Sequence, residues 1–404
     1  MEKDIKSNFN FKSAKERVSK VINKTGLIKS DYFSDKYGNE VYIKPENLQK
    51  TGAFKIRGAY NKIYKLSDEE KKKGLISASA GNHAQGVAYA CSVLGVKAKI
   101  VMPKTTPLIK VEGTKKYGAE VILYGDCYDE ACEYAVKLSE EKGYTFIHPF
   151  NDINVIEGQG TIGSEILEEL PDCDVILVPV GGGGLISGIT LAAKEIKPDV
   201  KIVGVEPLGA ASMKESVEVG RVINLPKIST VADGAAVKSP GDITFEIVKK
   251  YVDEIVVADD FEIMEAFTEL LEKHKLIGES AGLLSLAGIS KIKEKGKKIV
   301  SVVSGGNIDV LSISTMINKG LVSKGRIFGF NVNLPDKPGE LLNISKILAS
   351  TGANVVKVDH DQFRSADRFT DVILHVKAET NGYEHIEKIK EELRNSGYDI
   401  ELEI

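Results

Sequence analysis

The chain has 404 residues, of which 54 are lysine or arginine and 58 are acidic, giving a formal net charge of −4. Its length exceeds the roughly 100–200 residues of a typical domain, so we expect two or three domains. Because there is neither the basic excess that nucleic-acid backbones require nor an apolar run of about 18 residues that could span a bilayer, we expect a cytoplasmic protein with no nucleic acid and no membrane as partners.

Short apolar runs rich in β-branched residues alternate with helix-length amphipathic segments through most of the chain. Such runs are typical of a parallel sheet that helices cover on both faces, so the alternation predicts an α/β fold. Ligands in these folds bind beyond the carboxyl ends of the strands, and the loops there should carry the chemistry. The runs are AKIVM near 100, AEVILY near 122, DVILVPV near 178, KIVGV near 203 and KIVSVVS near 301.

Lys55 stands between a phenylalanine and an isoleucine in the segment TGAFKIRGAY, residues 51–60. An apolar flank at a helix start removes hydration from an ammonium group, so its pKa falls and the free amine becomes available as a nucleophile. A surface lysine whose stem lies along apolar neighbours shows the same local pattern. The flank alone leaves both interpretations open.

The segment SASAGNHAQG, residues 77–86, is a loop of small residues that precedes a predicted helix. Ser79 and Asn82 can donate or accept hydrogen bonds, and Gly81 allows close approach, so the loop could bind a carboxylate. An ordinary helix start capped by Ser79 or Asn82 is the alternative.

Four consecutive glycines, Gly181 to Gly184, follow the strand VILVPV and precede an amphipathic helix. Glycines allow a sharp turn and close approach, and the free N–H groups and dipole of a helix start favour an anion. The pattern predicts a phosphate-binding loop, with a plain tight turn as the alternative. A phosphate-bearing aldehyde would need this anion site together with one amine, such as that of Lys55.

A further loop, in VVSGGN, offers the hydroxyl of Ser304 at a strand end, where a serine alone is most simply a turn residue. The four cysteines form no CxxC pair, so we expect no disulfides. The six histidines show neither HxxxH nor HExxH spacing, and none stands near a cysteine at zinc-site spacing. The sequence therefore predicts no metal site.

The pattern changes after about residue 318, where the polar segment NKGLVSKGR leads into a compact final stretch. Alternation of Val372, Leu374 and Val376 indicates a strand, whereas the spacing of Ile386 and Ile389 is helical. The resulting βαββαβ order predicts a ferredoxin-like domain. Its elements are strand 326–335, helix 338–350, strand 353–363, strand 369–379, helix 382–395 and strand 398–404.

A series of segments resembles, in order, those of the fold-type II pyridoxal-phosphate enzymes, in the branch of threonine and serine dehydratases that also contains serine racemase. The segments are TGAFKIRGA, SAGNHAQG, IHPFND, EGQGTIGSEI, GGGGLISG, VADGAAV and SGGN. Two more, LPDKPGELLNISKIL and GANVVKV, resemble the ACT regulatory domain. The resemblance implies a catalytic domain over 1–320, with a small subdomain at about 50–155, and an ACT domain over 326–404.

The resemblance also implies a role for each matching residue. Lys55 would carry pyridoxal 5′-phosphate as a Schiff base and, once freed, remove the α-proton of the substrate. Asn82 would hydrogen-bond the 3′-oxygen of the cofactor, Ser304 would face its pyridine nitrogen, and Phe54 would contact it. The phosphate would bind Gly181, Gly182, Gly183, Gly184 and Leu185, and the substrate carboxylate would bind Ser79, Gly81, Asn82 and His83.

The implied activity is the dehydration and deamination of L-threonine to 2-oxobutanoate and ammonia, and of L-serine to pyruvate. Because the neutral hydroxyl of Ser304 cannot stabilise a pyridinium as an aspartate would, loss of the β-hydroxyl is favoured over transamination. The alternatives are a serine racemase or serine dehydratase, and a non-catalytic ACT amino-acid sensor.

Two departures from the family pattern bear on these alternatives. Ser280 stands where a proline often follows the glutamate at Glu279. Glu206 and Ala210 match the cation site of serine racemases, but Ser212 replaces its aspartate, which weakens the racemase interpretation.

The ACT resemblance implies an allosteric enzyme regulated by an amino acid. A role in isoleucine biosynthesis is expected, with a degradative role as the alternative. It suggests Asp336, Gly339 and Asn354 as an effector site, which in this family lies between two copies of the domain. A homo-oligomer, dimer or tetramer, is therefore expected. A purely structural ACT domain is the alternative.

Overall fold

The computed structural model describes residues 5–361 and 371–402. The chain divides after Asp309 into two compact units. Within the described residues, no helix is long and apolar enough to cross a membrane.

The first unit contains ten strands and thirteen α-helices in its described part, besides short 3₁₀ and π-helical turns. The strands are β1 (Ile28–Lys29), β2 (Glu40–Pro45), β3 (Leu75–Ala78), β4 (Ala98–Met102), β5 (Glu120–Leu123), β6 (Thr145–Phe146), β7 (Val175–Pro179), β8 (Lys201–Pro207), β9 (Glu254–Ala258) and β10 (Lys298–Val303). The helices are α1 (Phe11–Val18), α2 (Asp31–Tyr37), α3 (Lys55–Lys65), α4 (Asp68–Lys73), α5 (Asn82–Leu94), α6 (Leu108–Lys115), α7 (Tyr128–Lys142), α8 (Ile153–Glu169), α9 (Gly184–Ile196), α10 (Ser212–Val219), α11 (Asp242–Tyr251), α12 (Asp260–Glu269) and α13 (Leu284–Ala287).

These strands form two sheets. The larger has the order β1-β2-β10-β7-β8-β9, and only β1 pairs antiparallel. The smaller has the order β5-β4-β3-β6 and is parallel throughout. The chain leaves the larger sheet after β2, builds the smaller one and returns at β7. Every residue of β7 is buried, as expected for a strand covered on both faces, and the predicted α/β fold is confirmed.

Helix α8 packs against both α3 and α9, and glycines make this packing close. A Cβ added to Gly158 would lie 2.5 Å from the carbonyl oxygen of Arg57 in α3. A Cβ added to Gly188 of α9 would lie 2.6 Å from the amide nitrogen of Gly160 in α8. The glycines of EGQGTIGSEI therefore allow the backbones of three helices to touch.

A buried ionic cluster fixes the first turns of α3. The Arg57 guanidinium pairs with Glu46 at 2.8 Å and with Glu165 at 2.7 Å, and it also donates to the Thr161 hydroxyl at 3.0 Å. Lys44 pairs with the same Glu165 at 2.7 Å. Because two cations face two carboxylates, the buried charge of the cluster is balanced.

The second unit contains α14 (Val310–Ser323), β11 (Ile327–Pro335), α15 (Glu340–Thr351), β12 (Asn354–Asp361), β13 (Asp371–Glu379), α16 (Tyr383–Asn395) and β14 (Ile400–Leu402). Its antiparallel sheet has the order β12-β13-β11-β14. The buried side chains of this unit include Val372, Leu374, Val376, Ile386 and Ile389, in the predicted alternation and helical spacing. The predicted βαββαβ order is confirmed, while the parts of the predicted strands at 362–363, 369–370 and 403–404 lie outside the described residues.

Candidate active site

The loop before Lys55 and the loop after β10 run side by side. Ala53 and Gly305 form an antiparallel bridge, and the Phe54 amide donates to the Ser304 carbonyl oxygen at 3.0 Å. The Ser304 amide donates in turn to the Gly282 carbonyl oxygen at 3.3 Å. Both backbone groups of Ser304 are therefore engaged, and its hydroxyl is the polar group left to meet a ligand.

Lys55 is the first residue of α3, and its side chain is half-buried. Its Nζ donates to the carbonyl oxygen of Pro149 at 2.9 Å and lies 5.1 Å from the centre of the Phe54 ring. Burial lowers the pKa of Lys55 to about 8, while the carboxylate of Glu279 opposes part of this shift. At pH 7 roughly a tenth of the Lys55 side chains are thus uncharged amines, far more than for a lysine of ordinary pKa.

Asn82 is the first residue of α5, which begins close to α3. A Cβ added to Gly86 of α5 would lie 3.1 Å from the amide nitrogen of Ile56. The residue before the helix is Gly81, which has no side chain to cap it, and Asn82 directs its side chain to Glu279 instead. The Ser79 hydroxyl accepts from the Gly81 amide at 3.2 Å. Neither Ser79 nor Asn82 therefore caps α5 with its side chain, as an ordinary capped helix start would require.

His83 is buried and its imidazole is neutral. Burial, together with the nearby charge of Lys55, lowers its pKa to about 3. Its Nε2 lies 3.1 Å from the carbonyl oxygen of Ile147, which only accepts, so Nε2 carries the proton and Nδ1 is an acceptor. Nδ1 has no hydrogen-bond partner among the described residues. The ring of His83 therefore cannot attract a carboxylate, and its backbone amide is the group that could.

The glycine loop lies against Phe150 with no space for side chains. A Cβ added to Gly182 would lie 2.5 Å from the Phe150 ring, and one added to Gly184 would lie 2.9 Å from the Phe150 Cα. Gly183 precedes α9 with a φ of 91°, a left-handed conformation that glycine adopts without strain.

The amide groups of this loop suit an anion. The Val180 amide donates to Val205, and the Ser187 amide donates to Gly183. For the amides of residues 181–186 between them, no acceptor is found in the part of the chain that the structure describes. These donors lie at the start of α9, where the helix dipole also favours negative charge, so the loop fits the phosphate of a cofactor.

Glu206, at the end of β8, is already engaged by α10. Its carboxylate accepts the amides of Met213 and Lys214 at 2.9 and 2.8 Å, and burial raises its pKa to about 8. The hydroxyl of Ser212 is buried without a partner in the described chain. Within residues 5–361 and 371–402, no group of three or more histidine, cysteine, aspartate or glutamate side chains could hold a metal ion.

Sequence reasoning gave no site role to two side chains near Lys55. Glu279 contacts Asn82, and Asn307 contacts both Asn82 and Thr51. Their segments, GESAG and SGGN, carried the signal in the form of polar residues among glycines. Because 197 positions separate Asn82 from Glu279, their spacing could not reveal the contact.

The chain belongs to the family described as pyridoxal-phosphate dependent enzymes, whose family model matches residues 18–305. Its cofactor is therefore pyridoxal 5′-phosphate, and the predicted family and fold-type II architecture are confirmed. Over 392 residues the chain is 48% identical to the L-threonine ammonia-lyase of Thermotoga maritima, covering 97% of this chain and 98% of that protein.

Solved structures show the same likeness. Threonine deaminase isoform 2 from Solanum lycopersicum superimposes with a TM-score of 0.76 and 40% identity, over 79% of this chain and 90% of that one. Maize serine racemase superimposes with a TM-score of 0.73 and 38% identity, over 78% of this chain and 97% of that one.

In the cofactor-free protein, we expect acetylation of Lys55 to rise with a midpoint near pH 8, because burial favours the uncharged amine. Mass spectrometry of the Lys55 peptide after brief treatment at a series of pH values measures this midpoint. In Glu279→Gln the midpoint should move to lower pH, because the carboxylate that favours the ammonium form is gone. A midpoint near the ordinary lysine pKa of about 10.4 would contradict the account.

Proposed function

We propose that this chain catalyses the dehydration and deamination of L-threonine to 2-oxobutanoate and ammonia, and of L-serine to pyruvate. The observation that carries the proposal is the 48% identity, over nearly the full length of both chains, to a protein named L-threonine ammonia-lyase. The lowered pKa of Lys55 and the free amides of the glycine loop support it independently.

The cofactor would be held by groups from four loops. The amides of Gly181–Leu185 would bind its phosphate, Asn82 its 3′-oxygen and the Ser304 hydroxyl its pyridine nitrogen. Phe54 would contact its ring, and Lys55 would be its covalent attachment point. When bound, pyridoxal 5′-phosphate withdraws electrons from the amino acid's Cα and so acidifies the α-proton.

Lys55 would then act as the general base. Its amine donates to the Pro149 carbonyl oxygen, and burial disfavours its charged form more than the carboxylate of Glu279 favours it, so the free amine can take up a proton near neutral pH. The substrate carboxylate would lie against Ser79, Gly81, Asn82 and His83. Because the His83 ring is neutral, binding there depends on hydrogen bonds from backbone amides rather than on ionic attraction.

Ser304 would favour elimination over transamination. A hydroxyl opposite the pyridine nitrogen leaves this nitrogen without a counter-charge, so electrons accumulate less readily on the ring. Expulsion of the β-hydroxyl would then be favoured over transamination.

A serine racemase or serine dehydratase is the second candidate, and the likeness to maize serine racemase supports it. Against racemisation, the carboxylate of Glu206 is engaged by two amides of α10, and Ser212 supplies no negative charge for a cation. A non-catalytic amino-acid sensor is less favoured, because Lys55 keeps an amine with a lowered pKa.

The second unit would be an ACT domain that regulates the enzyme. We propose a catalytic domain over 1–320 and a regulatory domain over 326–404, which differs from the observed division in the placement of residues 310–325. We further propose that the enzyme acts in the cytoplasm in isoleucine biosynthesis, where an amino-acid effector would be a natural regulator.

The proposed effector residues favour an oligomer. Gly339 precedes α15 and Asn354 follows it. Twelve helical residues span about 18 Å, so these two residues lie at opposite ends of the helix in one copy. A single small-molecule site that includes Asp336, Gly339 and Asn354 therefore needs residues from two copies, as in a dimer or tetramer. The edge strand β12 exposes Val355, Val356 and Val358, which supports pairing along this edge.

Incubation of the purified holoenzyme with L-threonine should release 2-oxobutanoate, and Lys55→Ala should lower the rate by at least about a thousandfold, because both the attachment point and the base are lost. Lys50→Ala, a change at an exposed lysine five residues earlier, is the matched control. Keto-acid release is measured from threonine and serine, and D-serine by chiral chromatography. D-serine without keto acid would favour the racemase, and an unchanged rate in Lys55→Ala would contradict catalysis by this lysine.

Isoleucine or valine should change the rate at subsaturating threonine, because binding between two ACT domains would alter the active form. The response, the ratio of rates with and without effector, should be smaller in Asn354→Ala than in the control Asn395→Ala, whose residue is exposed at the end of α16. An active wild type with no response to either amino acid would contradict this regulation and favour a structural domain.

A further inference from the structure

Side chains from distant segments form one hydrogen-bonded chain near Lys55. The Asn307 Nδ2 donates to the Thr51 carbonyl oxygen at 2.7 Å and to the Asn82 Oδ1 at 2.8 Å. The Asn82 Nδ2 donates to the Glu279 Oε1 at 2.5 Å. This hydrogen-bonded chain therefore links the loop before Lys55, the start of α5, the loop before Ser280 and the loop after β10.

The direction of this chain follows from its first member. The carbonyl oxygen of Thr51 only accepts, so Asn307 must present its NH₂ group there. The same nitrogen faces Asn82, which must therefore present its oxygen to Asn307 and its NH₂ to Glu279. Glu279 is the final acceptor of the hydrogen-bonded chain. The Asn82 carboxamide therefore has only one orientation in which all of these hydrogen bonds are made.

Two glycines bring backbone against this chain. A Cβ added to Gly305 would lie 3.0 Å from the Glu279 Cδ, overlapping its carboxylate, and 3.1 Å from the Asn82 Nδ2. Gly52, with a φ of 72°, lies equally close to the Asn307 side chain. The glycines of TGAFK and SGGN thus leave just enough space for the carboxylate and the carboxamides, which pack directly against the backbone.

The Glu279 carboxyl group can accept from Asn82 in either protonation state. Burial raises its pKa to about 7, and the hydrogen bond from Asn82, the charges of Lys110 and Lys55, and the Asn307 backbone amide oppose this shift. Both the carboxylate and the neutral acid keep an acceptor oxygen. A glutamine could therefore replace this glutamate, whereas an alanine could not.

We propose that Glu279 and Asn307 are positioning residues that hold the Asn82 carboxamide so that its second N–H faces the 3′-oxygen of the cofactor. An amide nitrogen carries two hydrogens, and the bond to Glu279 uses one of them. The inference rests on the proposed function, in which Asn82 contacts the cofactor. Glu279 and Asn307 act through Asn82, so their effects on cofactor binding must depend on its presence.

The test is titration of the cofactor-free, full-length protein with pyridoxal 5′-phosphate, in which the absorbance of the bound cofactor is monitored. Glu279→Ala and Asn307→Ala should each weaken binding about tenfold, roughly what loss of one well-oriented hydrogen bond costs. Glu279→Gln should bind within about twofold of the wild type, because it keeps the acceptor. Asn47→Ala is the matched control. It removes a nearby hydrogen bond to the Ile277 carbonyl that is not part of the hydrogen-bonded chain.

The double variant Asn82→Ala/Glu279→Ala distinguishes positioning from direct contact. If Glu279 acts through Asn82, adding Glu279→Ala to Asn82→Ala should weaken binding by less than about twofold more. Additive losses would overturn the inference, and so would equal losses in Glu279→Gln and Glu279→Ala. Thermal unfolding of each cofactor-free variant checks folding; if Glu279→Ala does not fold, the same cycle with Asn307→Ala decides.

Failure of this inference is separable from failure of the proposed activity, because the titration needs no substrate. A protein that releases no keto acid yet shows non-additive losses would keep the inference and lose the activity. Unchanged binding in Asn82→Ala would overturn both the cofactor contact and the inference.

Discussion

The buried ion pairs of Arg57 are the interaction on which the site depends most. Arg57 lies two positions after Lys55 in α3, is fully buried, and bonds Glu46 beside the larger sheet and Glu165 in α8. Burying a charge is costly unless it is paired and fully hydrogen-bonded, and removing one partner of a buried pair typically costs about 3–5 kcal/mol. The cluster meets this requirement, and it thereby fixes the helix start that carries Lys55.

From this fixed helix, the loops of both sheets converge. The loop that contains Ser79 and Gly81 follows β3, the glycine loop follows β7, and the loop of Ser304 follows β10, so all lie at the carboxyl ends of parallel strands. Glycine-mediated packing of α3, α8 and α9 holds the strands' loops close. Burial then sets the charges, since it lowers the pKa of Lys55 and His83 and raises that of Glu279.

Local pattern was sufficient to predict much of this structure. Continuous apolar runs indicated buried parallel strands, alternation at 372–376 indicated β13, and the ordered motifs indicated the family and its cofactor. Contacts between distant residues could not be predicted, because periodicity reports only local order. The tautomer of His83 depends on Ile147, and the orientation of Asn82 depends on Glu279 and Asn307. The start of α15 at Glu340 rather than 338 follows from Gly339, whose φ of 107° is not helical.

The central claim is that Lys55 is the residue that carries the cofactor, and borohydride reduction of the holoenzyme tests it most directly. Reduction makes the link between lysine and cofactor permanent, and mass spectrometry of the digested protein then locates it. We expect a phosphopyridoxyl group on the peptide that contains Lys55. A group on another lysine, such as Lys110, or no labelled lysine in a protein with bound cofactor, would contradict it.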